Sequence, residues 1–310
     1  MKYVKGFTFG YLAQAGGYAD DNSKQSMRLL KQQTACDTVI LALGALQETA
    51  QSEMIDYTGP HMPTDTELCE MIAYAQSLSL RVFLKPLVNC KDGTWRAHIN
   101  FFDVDVPHEP QWKNWFQSYT AYQSHYAIIA QKMGCEMLIV GCEMVQAQRK
   151  ETYWRELNAK VREIYTGLIS YNTDKYQEEY VTWWDAVDVI SSSGYYPIID
   201  WDTQLTRIQQ VVMQYKKPFF FAEAGCPSRH GSSFLPNDWT CQGSIDIAEQ
   251  AEYYRVLFQK AGNCDWLMGF SFWDWKTHLY QEADACKDAD YAVYGKPACN
   301  EIFKFYSRHH

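Results

Sequence analysis

Apolar positions along this chain gather into short, dense runs, and longer stretches of helical periodicity separate them. Residues 4–10, 38–46, 80–88, 137–143, 167–172, 187–194, 219–225 and 266–273 each read as a strand. Between and after them, residues 23–34, 66–78, 112–133, 153–165, 208–215, 245–261 and 297–306 carry apolar side chains at helical spacing. Thr64 and Glu67, three apart at the head of the second of these helices, have the pattern of a capping box. Strands apolar on both faces must be covered on both, which parallel sheets achieve with helices outside them. Eight repeats of strand then helix predict an α/β fold, a single (β/α)8 TIM barrel over residues 1–308. A doubly wound open sheet fits less well, because no Gly-x-Gly-x-x-Gly turn follows a strand-like run. His309 and His310 read as an expression-tag remnant.

Two of the most apolar runs end in a carboxylate. Glu143 closes 137–143, and Glu223 stands near the end of 219–225. In a parallel barrel the carboxyl ends of the strands form the face where active sites are built. The long connections 47–65, 89–109, 226–244 and 274–296 all fall at that face and can wall a cleft. Glu143 and Glu223 belong to the fourth and seventh strands, on opposite sides of the mouth. Paired carboxyls in that position suit glycoside hydrolysis: roughly 5 to 5.5 Å apart, one protonates the leaving oxygen and the other attacks the anomeric carbon.

Composition narrows the class. A formal net charge of -9 with no concentrated basic segment argues against a nucleic-acid partner. The ten cysteines are scattered and show no zinc-ligand spacing, so reduced, buried thiols are expected, with no metal and no cofactor. The opening residues run straight into the first strand, without an apolar leader or membrane span, which places the protein in the cytoplasm with no membrane partner. Eleven Trp and 22 Tyr exceed what packing needs, and aromatic faces bind the apolar surfaces of sugar rings. Lys85 is expected near the mouth, where its ammonium can reach substrate hydroxyls; the alternative is a buried lysine paired with a carboxylate. Tyr195 and Tyr196 follow the sixth strand, and either phenol can donate to Glu223 and hold its pKa low. Asn172 and Trp95 join them as candidate sugar contacts, with Arg96, Asp274 and Trp275 unranked beside them.

Residues 63–72, running from Pro63 to Ile72, then 81–86 through Lys85 and Pro86, and 92–99 around Trp95 and Arg96, resemble glycoside hydrolase family 113. The resemblance covers most of the chain. It implies a retaining (β/α)8 glycosidase with Glu143 as acid/base and Glu223 as nucleophile, and Trp273 as an aromatic floor beneath the reacting sugar. It also implies an oligosaccharide partner, most simply a β-1,4-manno-oligosaccharide. Cys142 stands where many relatives in the wider clan have Asn, and Leu46-Gln47 where this family tends to have an aromatic. Gluco-, xylo- and N-acetylhexosamine-containing β-glycosides are the alternative substrates. A carbohydrate-binding barrel without catalysis is the alternative outside enzymology.

Overall fold

The structure is a computed structural model that describes residues 1–308 apart from 12, 241 and 263. The reading of His309 and His310 as a tag remnant therefore lies outside the described residues. Eight strands, β1 (Val4–Phe9), β2 (Thr38–Gln47), β3 (Arg81–Cys90), β4 (Met137–Cys142), β5 (Leu168–Thr173), β6 (Val189–Gly194), β7 (Phe219–Ala224) and β8 (Leu267–Trp275), pair in sequence order and close into a parallel barrel. Closure joins β1 to β8 through the Val4–Gly269 to Phe7–Phe272 register. The expected architecture is present.

Seven α-helices are found among the described residues: α1 (Asp21–Thr34), α2 (Asp65–Ser77), α3 (Trp112–Met133), α4 (Glu151–Ile164), α5 (Trp201–Tyr215), α6 (Ile247–Ala261) and α7 (Pro297–Arg308). The capping box at α2 forms as the spacing requires, with Glu67 N–H on Thr64 Oγ1 at 3.2 Å and Thr64 N–H on Glu67 Oε2 at 2.8 Å. Helix α5 starts two turns before the expected residue 208, because Trp201, Gln204, Leu205 and Ile208 already form a buried helical stripe. The expectation of a helix after every strand fails once. Two 3-10 turns, Glu178–Tyr180 and Trp184–Ala186, carry the chain from β5 to β6. Two buried indoles cover the sheet in place of a helix: Trp183 stacks on Trp154 at 4.9 Å, and Trp183 and Trp184 donate their N–H groups to Gln148 O and Glu178 O.

The main core lies between the sheet and the helices, and a second, smaller one fills the barrel. Val4, Ile40, Phe83, Met137, Ile139, Val189, Phe220 and Ala222 plug the barrel interior, and Ala42, Leu87 and Cys142 form a separate buried cluster. Strand alternation puts Phe83, Lys85 and Leu87 on one face of β3, so Lys85 stands between the plug and that cluster. Two irregularities then set the site. From Ile139 a regular strand would turn Cys142 outward, but the β4–β5 register shifts between Ile139 and Cys142 and brings the thiol inside. In β7, Ala222 belongs to the plug, and the β6–β7 register shifts between Ser192 and Ser193, so that Glu223 faces inward as well.

Barrel closure also depends on Gly269, whose φ is +116° and whose place leaves no room for a side chain: an added Cβ would lie 2.1 Å from the Val4 carbonyl oxygen. Gly269→Ala should lower the unfolding free energy by about 3 kcal/mol or more in urea titration, and a loss under about 0.5 kcal/mol would contradict this account of the seam.

Candidate active site

Glu223 is held at both carboxylate oxygens. The Lys85 ammonium donates to Oε1, the Cys142 thiol lies 3.4 Å from the same atom, and the Tyr195 hydroxyl donates to Oε2 at 3.0 Å. Lys85 has no exposed surface and also reaches Asn172 Oδ1 at 3.4 Å. Burial by itself pushes the Glu223 carboxyl up and the Lys85 ammonium down. Their attraction and hydrogen bond, with Arg96 and Tyr195 assisting at Glu223, reverse both, leaving Glu223 below the usual carboxylate range and Lys85 above its ordinary value. Burial first, then the Glu223 charge, holds the Cys142 thiol and the Tyr195 phenol well above their usual values, so both are neutral donors.

Glu143 follows β4 directly with a φ of +53°, a left-handed conformation that costs a non-glycine residue about 1 kcal/mol or more. Its N–H is tied to Asn172 O at 2.8 Å, so the neighbouring strand imposes the turn. The carboxylate takes Arg96 Nη1 at 2.9 Å and Trp95 Nε1 at 3.3 Å on Oε2, and the Ser193 hydroxyl at 2.7 Å on Oε1. Arg96 is itself anchored, by Nε on Val88 O at 3.2 Å and Nη2 on Asn89 Oδ1 at 3.1 Å. Asp174, at the cavity wall, is pushed up to about 7, by burial first and by the Glu143 charge second.

Both glutamates open onto one cavity of about 700 Å³ whose wall includes Tyr11, Trp95, Tyr195, Trp239 and Trp273. Trp239 comes from the loop after β7, stacks on Tyr291 at 4.4 Å and meets Trp273 at 6.0 Å; Tyr11 packs on Trp273 at 4.5 Å. Trp95 and Trp239 are 42% and 52% exposed, which leaves much of each indole free for a ligand. An aromatic cavity with two buried carboxylates of separate hydrogen-bonding partners has the composition a two-carboxylate hydrolase requires.

Of the residues singled out in the sequence, Glu143, Glu223, Trp95, Tyr195 and Trp273 meet at this cavity. Five do not line it. Lys85 is sealed beneath Glu223, the alternative of a buried, carboxylate-paired lysine, and cannot reach substrate hydroxyls. Asn172 is fully buried, its amide donating to Ser193 Oγ at 3.1 Å and Thr173 O at 2.9 Å, so it supports the site instead of contacting sugar. Tyr196 is turned away, its hydroxyl on Glu178 Oε1 at 2.5 Å in a group with buried Ser192 and half-buried Arg207. Asp274 pairs with Lys276 and Trp275 donates to Ser26, both away from the cavity wall. Sequence reasoning passed over Tyr11, Asn89, Asp174 and Trp239 and left Arg96 unranked; for Trp239, an aromatic in a long mouth loop was the available signal.

One surface group, His230, Asp246 and Glu249, brings three potential metal-ligand atoms within 4.8 Å of one another. Its carboxylates already anchor backbone N–H groups of Gly231, Ser233, Ala248 and Glu249, and none of the three lines the cavity. No helix among the described residues is long and apolar enough to cross a membrane.

The model of Glycoside Hydrolase Family 113 matches residues 7–296. The chain belongs to that family. This glycoside hydrolase of family 113 superposes on a solved β-1,4-mannanase of the same family with a TM-score of 0.98, at 59% identity over 99% of both chains. The family 113 β-mannanase from Alicyclobacillus acidocaldarius, solved in complex with ManMIm, matches with a TM-score of 0.96 at 40% identity, covering 100% of this chain and 99% of that one. A β-D-glucuronidase from Dictyoglomus thermophilum, 15% identical with a TM-score of 0.67, covers 99% of this chain and 51% of its own and shares the fold. A comparison with curated proteins found no match.

In this family 113 enzyme Tyr195 is one of the donors that keep Glu223 ionised. Removing it raises the Glu223 pKa, so catalysis that needs the carboxylate fails earlier as pH falls. Tyr195→Phe should move the acid limb of the kcat/KM profile up by about one pH unit, and an unmoved limb would contradict the geometry.

Proposed function

We propose that this glycoside hydrolase cleaves β-1,4-linked manno-oligosaccharides with retention of configuration, with Glu223 as nucleophile and Glu143 as acid/base. The observation that carries the mechanism is the pair of buried carboxylates on one aromatic cavity, with Glu223 fixed beside an ammonium. A nucleophile must be ionised, and the depressed Glu223 carboxyl meets that need. Glu223 forms a bond to the anomeric carbon as the bond to the leaving oxygen breaks and Glu143 gives that oxygen its proton. Water then attacks the same carbon, returns a proton to Glu143 and frees Glu223.

The manno configuration rests on the family and on its two solved relatives described as β-mannanases. Cys142, in the place where clan relatives carry Asn, is buried and off the cavity wall, so another residue must meet the sugar 2-hydroxyl. Asn89 and Arg96 are polar groups of the wall suited to that contact. Trp95, Tyr195, Trp239 and Trp273 supply the aromatic surfaces for the sugar rings. The nine described free cysteines fit a reducing, cytoplasmic setting, where the substrates are short transported oligomers.

Kinetics with matched oligosaccharides test the reading. Mannotriose and mannotetraose should exceed their cello- and xylo- counterparts in kcat/KM by about 100-fold or more, because a polar site built for an axial 2-hydroxyl leaves buried groups unpaired with an equatorial one. Glu223→Ala should lose about 10⁴-fold or more in kcat, whereas Glu143→Ala should retain turnover of a dinitrophenyl glycoside that needs no protonation. Preference for gluco- or xylo-configured chains would overturn the substrate, and full activity in Glu223→Ala would overturn the mechanism.

A further inference from the structure

The two oxygens of Glu223 face different surroundings. Oε2 is met by Tyr195, which lines the cavity, whereas Oε1 is met by Lys85 and Cys142, which have no exposed surface and do not line it. Substrate therefore reaches Oε2, and Oε1 stays beneath as the carbonyl oxygen of any ester formed at this residue. Lys85 is confined by the apolar plug on one side and by Leu87 and Cys142 on the other, and Asn172 Oδ1 is its other polar contact.

We propose, resting on the reading of Glu223 as nucleophile, that Lys85 is a positioning residue that sets the lifetime of the glycosyl-enzyme by making Glu223 a good leaving group. When Oε2 bonds to the anomeric carbon, the carboxylate becomes a neutral ester and the buried ammonium loses the charge it faced. Asn172, the neutral Cys142 thiol and the Trp273 ring, whose centroid lies 5.8 Å from the ammonium, remain beside it, and none of them is an anion. An unpaired buried ammonium is costly, so the ester is destabilised relative to the free carboxylate. In the second step water attacks the anomeric carbon and Glu143 takes the proton. The electron pair of the breaking bond returns to Oε2, and the restored negative charge spreads to Oε1 against Lys85. Attraction that grows along this step lowers its barrier. Lys85 gives up no proton in either step.

Ionisable groups around the pair come from several elements. Arg96 reaches in from the loop after β3, Cys142 and Glu143 from the end of β4, and Tyr195 from beyond β6. Lys85 and Arg96 are the two cations acting on Glu223, and Arg96 is bound to Glu143. Lys85 is thus the cation in direct contact with Glu223.

The test is pre-steady-state hydrolysis of a dinitrophenyl β-mannobioside by wild type and Lys85→Met. Losing the ammonium should slow the second step by about 10- to 100-fold, so that the variant shows a burst of dinitrophenolate approaching one equivalent per site before slow turnover. The acid limb of its kcat/KM profile should also move to higher pH, since the carboxylate has lost its counter-ion. A merely structural role for Lys85 slows both steps together and leaves no burst, and that result overturns the proposal. Should Lys85→Met fail to fold, Glu223→Gln supplies the answer, because the amide mimics the neutral ester beneath which Lys85 is left unpaired. Its Tm should fall below that of wild type and recover in Lys85→Met/Glu223→Gln; a Glu223→Gln enzyme as stable as wild type overturns the proposal. A 2-deoxy-2-fluoro-β-mannosyl fluoride should label wild type at Glu223. Absence of that label overturns the assignment of the nucleophile itself, whereas a label without a burst in Lys85→Met overturns only the role of Lys85.

Discussion

The site depends on one buried ion pair. A lysine ammonium and a glutamate carboxylate, both buried, share the barrel interior above the apolar plug. Taking both charges out of water costs several kcal/mol each, and removing either partner alone typically costs about 3 to 5 kcal/mol. Such a pair survives only where further donors and acceptors complete it. Here Asn172 and Cys142 close it below, and Tyr195 closes it toward the cavity. The two strand irregularities follow from the same need, since without the register shifts in β4 and β7 neither Cys142 nor Glu223 would face inward.

The second carboxylate is supported differently. Glu143 stands in a left-handed turn held by β5, and its donors arrive from the loop after β3 and from Ser193 on β6. Glu223 is thus fixed by rigid strands from below, and Glu143 partly by a loop residue, Arg96, whose own anchor points are Val88 and Asn89. A nucleophile must attack from one position, whereas an acid/base must follow a leaving group and then an incoming water. The contrast in support matches the contrast in the proposed roles.

Much of this was legible in the sequence because strand burial and site position are both consequences of local pattern. Apolar runs mark the parallel strands, and a carboxylate at the end of such a run has nowhere to go but the carboxyl face, which is why Glu143 and Glu223 stood out. Lys85 was located by strand alternation but its role was not, because whether its ammonium meets substrate or Glu223 depends on the register shift that turns Glu223 inward above it, which the pattern does not carry. Tyr195 and Tyr196 are adjacent in the chain and project to different environments, so only the fold separates the donor to Glu223 from the partner of Glu178. The missing helix after β5 escaped for a similar reason: Trp183 and Trp184 cover the sheet by tertiary stacking, which has no period to read. Trp239 lies in a loop, where aromatic residues carry no periodic signal at all.

Proton NMR of the reducing end released at the earliest times from a reduced-end-blocked manno-oligosaccharide tests the central claim directly. Two displacements at the anomeric carbon, the first by Glu223 and the second by water, predict that the β anomer appears first and the α anomer only by later mutarotation. Initial release of the α anomer would mean a single displacement by water, and the account of Glu223 as a covalent nucleophile would be wrong.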